Sequence, residues 1–124
     1  MRQRFTDRLR ARVDGIWEVQ HQLPFVRGIA DGTLDLDRFR FWVRQDYLFL
    51  IDYSRVFALG AARAPDLATM TTFAELLLAT VKTEMELHRA YAAEFGVGLD
   101  ELESETKAPT TQGYTDFLLR VALH

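Results

Sequence analysis

No glycine or proline interrupts the chain between Leu36 and Gly60, and Pro65 falls shortly after. A stretch of that length with few β-branched residues satisfies its backbone hydrogen bonds locally only as a helix, and Asp35 stands where an N-cap belongs. The spacing predicts a helix from Leu36 to about Arg63, with Leu36, Phe39, Val43, Leu50, Phe57 and Ala61 on its buried face. Asp46 falls within the same angular range. Burying an unpaired charge costs several kcal/mol, so Asp46 needs a partner, a solvent-filled cavity or a proton.

The segments around this helix read as helices too. Phe5, Leu9, Val13, Ile16 and Trp17 recur at helical spacing, which predicts a first helix ending near Gln20. Five arginines precede or sit in it (Arg2, Arg4, Arg8, Arg10, Arg12), but Asp7 and Asp14 interrupt them, unlike a transit peptide. Pro24 breaks the pattern, Phe25, Val26 and Ile29 form a short apolar turn, and Asp31-Gly32 signals a turn. Asp66 is a candidate cap for a second long helix ending at Gly96. Its inward face is expected to run through Leu67, Met70, Phe73, Leu77, Val81, Tyr91 and Ala92, with Glu84 and His88 sharing that face. The stretch from Gly96 to Gly113 is turn-rich, with a short helix at most over Leu99 to Glu103. A last amphipathic pattern begins at Tyr114 and is cut at His124 without a closing residue. Residues 1–124 are therefore expected to form a single, incomplete helical domain, whose open apolar faces something should cover.

Composition removes several classes of function. With 18 acidic and 15 basic residues the net charge is −3, and the arginines lie scattered without aromatic interleaving, so nucleic acid is not an expected partner. No apolar run approaches the roughly 18 residues of a membrane span, so a membrane is not expected either. The absence of cysteine excludes disulfides, thiolate metal sites and a cysteine nucleophile from this chain. Gly28 and Gly32 follow no strand and precede no Lys-Ser/Thr, so they make no phosphate loop.

Four motifs occur in order along the chain: Leu23-Pro-Phe-Val-Arg-Gly-Ile-Ala-Asp-Gly-Thr-Leu34, the Phe39 to Asp46 stretch ending Val-Arg-Gln-Asp, Glu84-Met-Glu-Leu-His88, and Lys107-Ala-Pro-Thr-Thr followed by Tyr114-Thr115. Together they resemble the TenA/thiaminase II family. The resemblance implies an all-α, haem-oxygenase-like helical bundle, represented here by its N-terminal half. It also implies hydrolysis of aminopyrimidines, either thiamin or its breakdown fragments, in vitamin salvage in the cytoplasm, with no metal or organic cofactor. Asp46 would then bind the pyrimidine ring nitrogen and amino group and support the nucleophile, and Tyr114 would line the same pocket. Phe49 takes the place of a second pocket tyrosine and keeps its stacking surface without its hydroxyl.

In the family the nucleophilic cysteine and the catalytic glutamate lie beyond the stretch matched here. Leu23 stands where a histidine usually precedes Pro-Phe-Val, which points to the branch without the cysteine. The chain alone is thus expected to be nearly inactive, and to act on an aminopyrimidine or thiamin-like small molecule only with a homo-oligomeric or complementary partner chain or with the missing C-terminal half. The competing reading is a non-catalytic helical module for oligomerisation or protein binding. Related metal oxidases of this fold pair Glu with His three residues on, but Met85 holds that place before His88. Glu84 and His88 are accordingly read as a structural hydrogen-bonded pair, with no metal.

Overall fold

Asp35 accepts hydrogen bonds from the backbone of Asp37 (2.8 Å) and Arg38 (3.3 Å), and this cap starts the longest helix at the position its sequence predicts. A computed structural model describes residues 2–124, and in it α1 covers Phe5–Arg12, α2 Asp14–Gln20, α3 Pro24–Asp31 and α4 Leu36–Ala62. Then follow α5 (Leu67–Ala79), a π-helical turn (Thr80–Glu84), α6 (Met85–Glu94), α7 (Leu99–Ser104) and α8 (Pro109–Leu123). The architecture is all-α, with no strand among the described residues. The chain divides into two units, Met1–Phe39 and Arg40–His124.

In the first unit the expected single N-terminal helix is two. Val13 adopts φ −112°, ψ 17°, which ends α1 and starts α2. A β-branched residue followed closely by Gly15 is a weak helical stretch, and Arg10 bridges the break through Asp14 (2.6 Å) and Glu18 (3.2 Å). The predicted apolar face lies open, with Ile16 77% exposed. Pro24 begins a helix instead of breaking one. Its fixed φ and missing N–H suit the first helical position, where no intrahelical donor is needed. Gly32 then closes α3 at φ 76°, a conformation that only glycine adopts without strain.

In the second unit α4 supplies much of the core through Val43, Tyr47 and Leu50, joined by Met85, Ala92, Val97 and Leu102. Asp66 caps α5 by accepting from the Thr69 N–H at 2.7 Å, as expected. The anticipated inward face beyond it holds in part: Ala92 is buried and Phe73 and Leu77 are half-buried. Leu67 is 77% exposed and Met70, Val81 and Tyr91 are exposed, whereas Thr80 and Met85, which were not placed on that face, are buried. The π turn adds a residue to the helical repeat, and this rotates the face of α6 away from the one that a constant period extrapolates. The helix expected from Tyr114 starts earlier, with Pro109 in its first turn, again because proline suits a helix start.

α4 and α5 approach closely at Gly60, where a Cβ would come within 2.6 Å of the Phe73 ring. Gly60→Leu is expected to lower stability by about 1 to 3 kcal/mol through overpacking. Urea denaturation checks this, and Phe73→Ala in the same chain should recover part of the loss.

Candidate functional site

Trp42, Gln45, Asp46 and Phe49 follow one another at spacings of three, one and three, so they share a face of α4. Thr110, Thr111 and Tyr114 do the same on α8, and the two faces border an open hollow of about 300 Å³. Asp46, Phe49 and Tyr114 are thereby brought together. The Tyr114 ring lies parallel to Phe49, with centroids 5.4 Å apart and planes 2° from parallel. Tyr53 continues the stack on Phe49 at 5.4 Å, and Phe57 meets Tyr53 edge-on at 4.5 Å. Rings this close leave no room for a third between them, so Phe49 and Tyr114 form one wall.

What holds α8 against α4 is a series of polar contacts to the segment before it. Arg44 donates from Nε to Glu105 Oε2 at 2.8 Å. The Gln45 carboxamide is spent twice, donating to the Thr106 carbonyl (3.0 Å) and accepting from the Ala108 N–H (2.9 Å). Lys107 Nζ donates to Asp52 and to Thr115 Oγ1 (3.1 Å), and Arg55 donates to the other oxygen of Asp52. Asp52, whose side chain is only 3% exposed, is thus the buried acid of α4. Burial pushes its carboxyl group up, but the hydrogen bonds and charges of Lys107 and Arg55 outweigh that and hold it below the ordinary value.

Asp46 is less buried, with its side chain 24% exposed, and it borders a second hollow of about 300 Å³ on the other flank of α4. Trp42, Glu84, Leu87, His88 and Tyr91 line that hollow with it. His88 Nδ1 lies 3.5 Å from Asp46 Oδ2, and Nε2 lies 2.8 Å from the Val43 carbonyl oxygen. Burial pushes the Asp46 carboxyl group above its ordinary value against the pull of His88, and the neighbouring Glu84 adds to the rise. Glu84 and His88 share the second hollow, yet no hydrogen bond joins them; the partners of His88 are on α4. Glu84 is exposed.

The sequence reading missed Gln45, Asp52 and Lys107. A polar residue among Leu50, Ile51 and Tyr53 was the available signal for Asp52, but its partner stands 55 residues away. Among the described residues no group of three or more His, Asp or Glu side chains is placed to hold a metal ion. No helix among them is long and apolar enough to cross a membrane.

An all-helical chain with an acid and an aromatic wall facing one hollow defines a class of small-molecule site, and comparison with known proteins narrows it. The chain belongs to the TENA/THI-4/PQQC family, whose model matches residues 10–124. It is 49% identical over 118 residues to the aminopyrimidine aminohydrolase of Halalkalibacterium halodurans, covering 95% of this chain and 53% of that protein. With the aminopyrimidine aminohydrolase of Bacillus subtilis it shares 36% identity over 120 residues, covering 97% of this chain and 51% of that one. A solved TenA homologue from P. horikoshii OT3 superposes with a TM-score of 0.91 at 30% identity, over 95% of this chain and 55% of that one. The resemblance read from the motifs is therefore correct in family and fold. The chain spans about half the length of the curated relatives it matches.

Asp52→Asn is expected to cost about 2 to 3 kcal/mol near neutral pH, the worth of hydrogen bonds to charged groups. A carboxyl group depressed by folding contributes stability that is present above its unfolded value of about 3.9 and is lost as pH falls through the folded value. The difference between wild type and variant in urea midpoints should therefore shrink on acidification below about pH 4.

Proposed function

We propose that this chain forms the aminopyrimidine-binding part of a hydrolase of the TenA type, acting in thiamin salvage in the cytoplasm. The observation that carries this reading is the convergence of Asp46, Phe49 and Tyr114 on one hollow between α4 and α8. The names of the relatives, aminopyrimidine aminohydrolases, supply the substrate class.

The chemistry fits the residues present. A carboxylate accepts hydrogen bonds through two oxygens, which matches an aminopyrimidine protonated at a ring nitrogen beside its exocyclic amine. As a carboxylate beside that ring nitrogen, Asp46 also offsets positive charge on the ring as the C–N bond breaks. The wall of Phe49 and Tyr114 gives the flat ring an apolar surface, and Phe49 contributes no hydroxyl to it. With no cysteine in the sequence, the attacking group is not a thiolate of this chain. We therefore assign these residues binding and orientation. The attacking group we place outside residues 1–124, on a segment of the same or another polypeptide that we take to cover the apolar residues left exposed on α8, Phe117 and Val121.

Isothermal titration with thiamin and with its methylaminopyrimidine fragment, using wild type and Asp46→Asn, tests the reading. Wild type is expected to bind the fragment and to show at most trace hydrolysis. Asp46→Asn should weaken binding by about ten-fold or more, the equivalent of one lost charge-assisted hydrogen bond. Robust turnover that is indifferent to Asp46→Asn contradicts the assignment of roles.

A further inference from the structure

We propose that His88 is a positioning residue for Asp46: its imidazole holds the Oδ2 edge of the carboxyl group and leaves the remaining acceptor positions to a ligand. The consequence for binding rests on the function proposed above, while the contact itself does not.

The tautomer follows from the partners. The Val43 carbonyl only accepts, so Nε2, at 2.8 Å, is the donor and carries the ring proton in neutral imidazole. Nδ1 is then the nitrogen turned toward Asp46, bare in the neutral ring and an N–H in the charged one. At 3.5 Å the Nδ1 to Oδ2 separation exceeds a good hydrogen bond, but a charged ring still attracts the carboxylate strongly across it.

Val43 and Asp46 lie three residues apart on α4, so one ring spans a turn of that helix and fixes the carboxyl group to its own backbone. The ring has little freedom to drift. Its side chain is 12% exposed, and the buried Tyr47 ring packs 6.2 Å from it. An unsupported aspartate on a helix samples several rotamers, and a ligand must then bear the cost of selecting one.

The π turn and α6 bring Glu84 and His88 to face Asp46. α8 contributes only the uncharged Thr110 and Thr111 and the phenol of Tyr114 to the hollow that Asp46 borders. On α4 itself Arg44 is turned to Glu105. Among the described residues His88 is thus the one basic group lining either hollow beside Asp46, and Glu84 opposes it.

Carboxyl-carbon NMR of the ligand-free full chain decides whether the contact acts. In His88→Gln the titration midpoint of Asp46 is expected to move upward, because the charge that draws it down is gone. In Glu84→Gln it is expected to move downward. An Asp46 midpoint unchanged in folded His88→Gln overturns the proposal. Should that variant fail to fold, nitrogen NMR of wild-type His88 gives the same decision: the Nε2–H tautomer is expected, and an Nδ1–H tautomer overturns it.

A second arm measures affinity for the methylaminopyrimidine fragment of thiamin between about pH 5 and 8. His88→Gln is expected to weaken binding about three- to ten-fold and to displace its pH profile. A fall in melting temperature without displacement of that profile is what a merely structural histidine gives, and it contradicts the proposal. Wild type that binds no aminopyrimidine refutes the proposed function, while the ligand-free titration still judges His88.

Discussion

Gln45 and Asp52 bring polar side chains into the buried face of α4, and a folded chain tolerates them only if their hydrogen bonds are made. The segment from Glu105 to Ala108 makes them. Two carboxamide bonds and a lysine-carboxylate pair clasp that segment along α4, with the Arg44 to Glu105 pair at one end. α8 starts immediately after the clasp, so its first turns are placed by it, and Tyr114 arrives against Phe49. The hollow is therefore a consequence of how buried polar atoms on one helix are satisfied, and its walls depend on residues that do not line it.

The helical class, the extent of α4 and the caps at Asp35 and Asp66 were legible because each depends on local signals: breaker spacing, periodicity and a side chain within reach of the next turn. The errors also have local causes. Pro24 read as a break and Pro109 lay in a stretch read as turn-rich, but both start helices, since proline forbids the middle of a helix and favours its first turn. The π turn left no mark in the hydrophobic pattern, so Tyr91, placed inward by extrapolating across it, came out exposed. Asp46 stood out as a carboxylate on an apolar face. Asp52, the more deeply buried acid, did not, because the lysine that balances it is close only in three dimensions. Likewise Glu84 and His88 share a hollow as their spacing implied, but the histidine finds its partners across the interface on α4.

Asp46 and Asp52 show how one helix gives two carboxyl groups different properties. Burial pushes both upward, yet Asp52 has two cations in direct contact and ends below its ordinary value. Asp46 meets one imidazole at 3.5 Å with Glu84 nearby, and ends above it. The first is locked into structure, whereas the second keeps acceptor positions open toward a hollow. That division, one acid neutralised within the scaffold and one left facing a hollow, is the physical basis for the proposal that the site takes an aminopyrimidine.

The most direct test of this account is hydrogen exchange at the amide of Ala108. That N–H precedes the helical hydrogen bonds of α8, and its partner is the side-chain oxygen of Gln45. In wild type it should exchange slowly, and in Gln45→Ala at the rate of an unprotected amide, with loosened protection through the first turn of α8 and unchanged protection in the middle of α4. An Ala108 amide equally protected in both proteins would contradict the claim that the clasp from α4 builds the site.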